Sequence, residues 1–470
     1  MTPSARRAEF GDFQTPPPLA AAICAALAAA GHTPAAIVEP TCGDGHFLAA
    51  AAATWPAARR IGVELDPAHA ARARALDPAA EILTADAFTH DWPAQLAPLP
   101  APLLILGNPP WITTAGVAAL GGRNRPARTN PGRLTGLDAL LGHSNFDVSE
   151  WLTLRLLAAL EGHPDATLAL LLKTATIRRI CAHHWRHGPP LAAARQHHID
   201  ARRAFDAAVD AALFVARPGA PATLDCATHP TLTAPATGAF GWRDDRLVAD
   251  AAAYDRARPH LGGGPRWRSG VKHDCAAILE LRPHARGWRN GLGEHVTLER
   301  HALYPLMKSA DVARGRPPSR ALLLTQRATD DDPARLAAEA PRAYAYLRSH
   351  ADRLDRRQSA IYRGRPRFSI FGVGPYAFTD YKVAISGLYP IPRFAVIGPH
   401  DGRPVLFDDT VYFLPCADEA QAQTIAAALD SPPGRDAIAA LSFPDAKRTV
   451  TAALLGQIDL ARLTEGTEQT

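Results

Sequence analysis

The stretch LLILGNPPWIT, Leu103 to Thr113, ends an aliphatic run with an amide, two prolines and an indole. Leu103 to Leu106 fit a buried parallel strand, which reads as continuous apolar residues. Gly107 and Asn108 end it, and Pro109 and Pro110 forbid both further ladder donation and a helix start at Asn108. The chain thus leaves the carboxyl edge of a sheet in a stiff turn carrying one carboxamide and one flat ring, Trp111. Open α/β sheets place their ligands at that edge, so the chemistry on offer is hydrogen bonding and stacking against a ligand. The same residues also describe a rigid loop with Trp111 tucked into the core.

Three more segments offer polar groups at strand ends. IVEPTCGDGHFL, Ile37 to Leu48, gives a strand, the acidic Glu39 and a turn with Gly43 and Gly45. Glycines let backbone approach a ligand closely and permit positive φ. A dinucleotide fold would want a third glycine, and Phe47 follows instead; a tight strand–helix turn explains the pair about as well. IGVELDP leaves Glu64 at the next strand's end, where a carboxylate can accept both hydroxyls of a ribose. TADAF puts Asp86 at the third strand's end, able to accept from an adenine amino group. Each acid alone is an exposed charge at a strand terminus, but three at consecutive tips form a pattern.

The elements that must position these groups alternate. Short strands AAIVEP, RIGVEL, EILTAD and LLILGN are separated by small-residue turns and Ala-rich helical stretches such as PAHAARARALD, which predicts a parallel, doubly wound sheet. DVSEWLTLRLLAALEG has apolar residues at Val148, Trp151, Leu152, Leu156 and Ala159, one buried helix face. ATLALLLK is the next strand, and DAALFVAR reads as part of an antiparallel hairpin closing the sheet edge. RPGAPATLDCATHPTLTAPATG, rich in Pro, Thr, Ala and Gly, reads as a loop or linker. We place a domain boundary there, with 1–235 and 236–470 as the two domains; the second mixes short strands with a helical segment around 418–441.

The order glycine turn, Glu64, Asp86 and NPPW resembles the S-adenosylmethionine (SAM)-dependent amino-methyltransferases that modify adenine in DNA. The gamma class of restriction–modification systems fits best, with cofactor motifs before the catalytic one and a C-terminal target-recognition domain. FGDFQTPPPLAAAI is similar to that family's N-terminal motif, whose Thr15–Pro16 pair would lie beside the methionine end of SAM. The resemblance implies a Rossmann-like methyltransferase domain followed by a mixed α+β recognition domain. It assigns Cys42, Gly43 and Gly45 to the methionine and ribose, Glu64 to the ribose hydroxyls, and Asp86 with Ala87 to the adenine, and counts Glu39 among the cofactor-binding residues. Weaker likenesses continue through WRSGVKHD, LYPLMKSADV and FGVGPYAFTDYKVAISGLY.

On this reading Asn108 and the Pro109 carbonyl accept the two protons of a target amino group, while Pro110 helps hold the turn rigid. A target base must be extruded from the duplex, and the Trp111 face would stack on it. The family more often carries Tyr or Phe there. ARRAFDAAVDAALFVAR is similar to a later motif in which a second ring, Phe205, would sandwich the base; a core Phe is an equal reading. HSNFDVSEW is similar to the next motif and marks Phe146, although an ordinary capped helix explains it nearly as well. The pairs His183–His184 and His197–His198 read as surface polar residues, and no metal site is expected.

Composition sets the frame. Hydrophobic residues make up 47% of 470, enough for two or three cored domains. No signal peptide or spanning segment is evident, and six scattered cysteines without metal-ligand spacing suit a reduced cytoplasm. From 251 to 400 there are about 25 Lys/Arg against about 13 Asp/Glu, an asymmetry that suggests a polyanion partner. Arg353, Arg356, Arg357, Arg363, Arg365 and Arg367, interleaved with Tyr362 and Phe368, would grip phosphates or read bases. The expected partner is double-stranded DNA, with any cognate endonuclease a separate protein. Methylation of RNA adenine or a protein glutamine, and a DNA-binding subunit with a vestigial pocket, are the alternatives.

Overall fold

The aliphatic runs of the first half have no polar face, so as strands they must be covered on both sides. The computed structural model describes residues 14–112, 147–163, 165–206, 209–285, 287–389, 391–446 and 448–467. Its elements begin with α1 (Pro17–Ala29), β1 (Ala36–Glu39), α2 (His46–Thr54), β2 (Arg59–Glu64), α3 (Pro67–Leu76), β3 (Glu81–Thr84), α4 (Trp92–Leu96) and β4 (Leu103–Gly107). There follow α5 (Val148–Ala159), β5 (Thr167–Lys173), α6 (Thr174–His187), β6 (Leu191–Ile199), α7 (Ala201–Phe205), β7 (Ala211–Pro218), β8 (Asp225–His229), β9 (Gly238–Arg243) and β10 (Arg246–Val248).

These strands form one sheet in the order β10-β9-β8-β6-β7-β5-β4-β1-β2-β3. The pairs β1–β2, β2–β3, β1–β4 and β4–β5 are parallel, the doubly wound core expected from the alternation. Leu104 and Leu106 of β4 pack with Ala169 and Leu171 of β5, and with Ile23 and Leu27 of α1 and Phe47 of α2. In α5 Val148, Trp151, Leu152 and Leu156 are buried as the spacing predicts, but Ala159 is only half-buried and Ser149, Glu150, Thr153 and Leu157 are buried as well, so the helix is covered beyond one face.

Three expectations are corrected here. DAALFVAR does not close the edge: β7 lies antiparallel between β5 and β6. Ala211 to Ala216 are buried without interruption, so both faces need neighbours. The stretch read as a linker contains β8, and β9 and β10 follow it on the same sheet. The boundary therefore moves from 235/236 to Ala252/Ala253, where the chain divides into two compact units.

Among its described residues the second unit holds two sheets. One has six strands, β14 (His295–Val296), β13 (Gly287–Arg289), β12 (Glu280–His284), β16 (Arg320–Leu323), β15 (Leu303–Met307) and β19 (Leu406–Phe407), in that order. The other orders β11 (Arg268–Ser269), β20 (Val411–Cys416), β17 (Tyr381–Ser386) and β18 (Phe394–Ile397). The helical segment near 418–441 is two helices, Glu419–Asp430 and Pro432–Leu441. Ser431 separates them, its side chain capping the second, and Pro432 cannot continue the first. No helix among the described residues is long and apolar enough to cross a membrane.

Candidate active site at the carboxyl edge of the sheet

The strand tips share one level. Ile37 pairs with Arg60 and Leu104, and Glu64 with Thr84. Past Glu39 the ladder slips by one residue, the Cys42 N–H donating to the Val63 carbonyl at 2.9 Å. β1 lies between β4 and β2, so Asn108 leaves β4 two strand spacings, roughly 10 Å, from the end of β2.

The glycine turn is built around the residues before α1. Gly43 has φ +53°, and a Cβ there would lie 2.4 Å from Gln14 Oε1. The Asp44 N–H donates to that same oxygen at 3.0 Å, and the Thr15 carbonyl lies 2.8 Å from His46 Nδ1. Thr15 is buried and Pro16 half-buried beside the turn; residues 10–13 of the same motif lie outside the described residues. Gly45, φ +84°, serves a different contact: a Cβ would meet Ala73 Cα of α3 at 3.0 Å. Leu48 stands where a third glycine would fall, and both it and Phe47 are buried.

Two carboxylates meet behind this turn. Glu39 is 3% exposed, and its Oε2 has no hydrogen-bond partner among the described residues. Burial, reinforced by the Glu64 charge, pushes its carboxyl well above the usual carboxylate range, against the pull of the Leu48 backbone N–H. Burial likewise pushes the Cys42 thiol up, with both glutamates adding to it. Glu64 folds back on the turn: Oε2 accepts the Gly43 N–H and Oε1 the Asp66 N–H, both at 2.8 Å. Each oxygen keeps a second lone pair. The Asp86 Oδ1 accepts the Phe88 N–H at 2.9 Å, and the Ala87 carbonyl accepts the Trp92 indole N–H at 3.0 Å.

A buried orphan acid oxygen, a second acid beside it and a turn open to backbone approach fit a ligand that brings positive charge and hydroxyls, as SAM would. Sequence reasoning missed the support of the Asp86 loop. Arg155 of α5 donates to the Phe88 carbonyl at 2.5 Å and lies over the Trp151 ring at 4.8 Å. Trp151 in turn meets Phe88 edge-on at 5.7 Å.

At the exit of β4, Asn108 and Pro110 are half-buried and Pro109 is buried. Trp111 departs from an open stacking platform. Its indole is 8% exposed, belongs to the core under α1 and α2, and donates to the Leu171 carbonyl at 3.0 Å. Phe205 stands against it, edge to face, with ring centroids 5.2 Å apart. The expected sandwich is corrected: a base between parallel rings needs about 7 Å, two contact distances, and these rings touch. Lys173, at the end of β5, donates to the Trp111 carbonyl at 2.9 Å and to Asp147 Oδ2 at 3.0 Å. The Val148 N–H donates to the Ile112 carbonyl at 2.9 Å, so the chain leaves and returns at one place. Phe146 lies outside the described residues. The histidines are also corrected: His184 is buried, His183 half-buried, and His197 stacks on His229 at 4.1 Å across β6 and β8.

No family model matches the chain. It is 37% identical over 463 residues to the type II methyltransferase M.NspV of Nostoc sp., covering 96% of each protein. The chain belongs to the type II methyltransferases. A shorter likeness, 34% identity over 109 residues, joins 23% of this methyltransferase to 20% of the type II methyltransferase M.XamI of Xanthomonas campestris pv. amaranthicola. The solved structure of the type IIL restriction-modification enzyme MmeI in complex with DNA is similar in fold, with TM-score 0.54 at 12% identity. That likeness covers 96% of this chain but 64% of MmeI, so the methyltransferase spans under two thirds of that enzyme. The expected fold class stands: a Rossmann-like α/β methyltransferase domain followed by a mixed α+β unit.

In the second unit of the methyltransferase the six arginines divide. Arg357 is half-buried and donates to the Ser369 and Leu354 carbonyls at 2.7 and 2.8 Å, with its guanidinium 3.8 Å from the Tyr362 ring centroid. Arg367 forms a two-pronged pair with Asp355, at 3.2 and 2.5 Å. Both are committed within the unit, and Phe368 is core. Arg353, Arg356, Arg363 and Arg365 are exposed, with Gly364 between the last two at φ +69° in open space.

Proposed function

We propose that this type II methyltransferase is a gamma-class, site-specific DNA adenine N6-methyltransferase with SAM as methyl donor, acting in restriction–modification or phage defence. The observation that carries this reading is the placement of Asn108–Pro109 at the carboxyl edge, one strand from the glycine turn and two from Glu64. Bound SAM would supply an electrophilic methyl on a sulfonium sulfur. Glu39, with its unpartnered oxygen, and Glu64 would meet its positive charge and ribose hydroxyls, with Thr15, Pro16, Cys42, Gly43 and Gly45 forming the surrounding turn. Asp86 and Ala87 would face its adenine.

Asn108 and the Pro109 carbonyl would accept the two amino protons of the target and hold the nitrogen as its lone pair turns toward the methyl. Acceptors already in place stabilise charge as it develops. The target nitrogen would take the methyl as the S–C bond breaks, leaving a neutral thioether, and would release its surplus proton to solvent. Trp111 and Phe205, touching edge to face, would wall the base pocket rather than sandwich the base. The first unit, 1–252, is then the SAM-binding catalytic domain and the second, 253–470, the target-recognition domain. Family membership and the exposed arginines support duplex DNA over RNA or a protein glutamine, and a separate cognate endonuclease completes the system.

Modification-sensitive sequencing of DNA from cells expressing the protein tests this reading. N6-methyladenine within one recurring sequence is the expected result. Methyl label found only in RNA or protein would promote those acceptors instead.

A further inference from the structure

A glycine in a strand–helix turn ordinarily marks bare backbone that a ligand can approach. At Gly43 one such approach is made by the chain itself. A Cβ there would stand 2.4 Å from Gln14 Oε1, 2.7 Å from its Nε2 and 2.9 Å from its Cδ. The whole Gln14 carboxamide therefore covers that side of the glycine, and any larger residue at 43 would displace it. Thr15 follows, its carbonyl 2.8 Å from His46 Nδ1, so the segment before α1 meets the turn at two successive residues.

Asp44 is the post to which Gln14 is tied. Its N–H donates to Gln14 Oε1 at 3.0 Å, while its Oδ1 accepts from His69 Nδ1 at 2.7 Å and Arg72 Nε at 2.5 Å, both on α3. Burial opposes it, yet these two partners hold the Asp44 carboxyl below the usual carboxylate range. On the other side of the turn the Gly43 N–H donates to Glu64 Oε2 and the Asp66 N–H to Glu64 Oε1. Asp66 Oδ1 accepts the Ala68 N–H at 2.7 Å, capping α3. These bonds close a ring that runs from the turn to Glu64, on to α3 and back through Asp44. Gln14 joins the ring between its two glycines.

We propose that Gln14 is a positioning residue for the cofactor: its carboxamide clamps the Gly43–Asp44 peptide and, through the Gly43 N–H, the Glu64 carboxylate that would hold the ribose hydroxyls. Position 43 is then glycine for the sake of Gln14 rather than of the ligand. This rests on the SAM reading above. The clamp touches neither Asn108 nor Pro109, so it acts on SAM affinity and leaves the transfer step alone.

Calorimetric titration of SAM into the full chain tests this by a double-mutant cycle. Gln14→Ala should weaken binding about three- to tenfold, as loss of one hydrogen bond does. Gly43→Ala should weaken it by the same factor, because its methyl displaces the carboxamide, and the double variant should match either single one within about twofold. The positive φ at 43 makes Gly43→Ala less stable in both backgrounds, a loss that melting curves measure and that cancels in the cycle. In steady-state kinetics Gln14→Ala should raise the KM for SAM with kcat within about twofold of wild type. Losses that multiply in the double variant, or a Gln14→Ala chain that binds SAM as tightly as wild type, overturn the clamp alone. If the wild type binds no SAM, the SAM reading fails and the clamp falls with it.

Discussion

Lys173 holds the last carbonyl of the NPPW turn: its ammonium donates to Trp111 O at 2.9 Å and to Asp147 Oδ2 at 3.0 Å. One side chain at the end of β5 thereby ties the exit of β4 to the N-terminus of α5, where Asp147 also accepts the Ser149 N–H at 3.1 Å. The turn gets its stiffness from two prolines and its position from this lysine. Lys173→Met should lower kcat about 10- to 100-fold, as sub-ångström displacement of catalytic groups does, with little change in the KM for SAM. Lys173→Arg should recover part of the loss. Steady-state kinetics with both substrates varied checks the split.

Glu39 links stability to binding with opposite signs. Its folded-state carboxyl titrates above the unfolded value because of burial and the Glu64 charge, so the folded chain holds that proton more tightly. Without ligand, stability should therefore decline as pH rises through and above the usual carboxylate range. Glu39→Gln should remove this slope and raise Tm at pH 7, while weakening SAM binding. Melting curves between about pH 5 and 8, and calorimetric titration with SAM, measure the two effects.

Glu280 behaves in the opposite sense. Although partial burial opposes it, hydrogen bonds from His273 and Lys308 hold its carboxyl down at about 2, and Arg320 donates a further bond at 3.2 Å. Its contribution is present above the unfolded value of 4.5 and is lost as pH falls toward about 2. Glu280→Gln should destabilise the second unit by roughly 1–2 kcal/mol at pH 7, because Lys308, Arg320 and His273 lose their shared carboxylate while Lys308 keeps Asp408 at 3.5 Å. That gap should shrink in acid. Urea midpoints at pH 7 and pH 3 check it.

The arginines of the second unit should separate into two groups. Ala at Arg356, Arg363 or Arg365 should weaken duplex binding and reduce the salt slope by about 1 for each phosphate left without its guanidinium. Arg357→Ala should instead lower stability by about 1–3 kcal/mol, since it removes the partner of the Leu354, Ser369 and His273 carbonyls. Salt titrations of binding, with melting controls, distinguish the groups.

Much of the first unit was legible because its strands have no polar face. LLILGN and ATLALLLK can be only covered strands, and the acids at their neighbours' ends fall at the sheet's edge without further information. AALFVA is an unbroken apolar run, the same mark of a covered strand as LLILGN, but a run does not say which neighbours cover it, and only three dimensions set β7 between β5 and β6. The β8 region hid behind Pro, Thr and Ala, which suit a linker as well as a sheet margin. Lys173 and Arg155 were missed because each acts on a backbone carbonyl some 60 residues away in sequence, at Trp111 and Phe88. A flat indole after NPP suits a stacking platform as well as a core position, and the Trp111 N–H, bonded to the Leu171 carbonyl, turns the ring inward.

The most direct measurement is single-turnover methyl transfer by Asn108→Ala, made alongside a measurement of SAM binding. SAM affinity should stay within about threefold of wild type, while transfer falls about 10²- to 10³-fold for loss of one pre-placed acceptor. Full transfer by the variant would contradict the assignment of the reacting amino group to this turn.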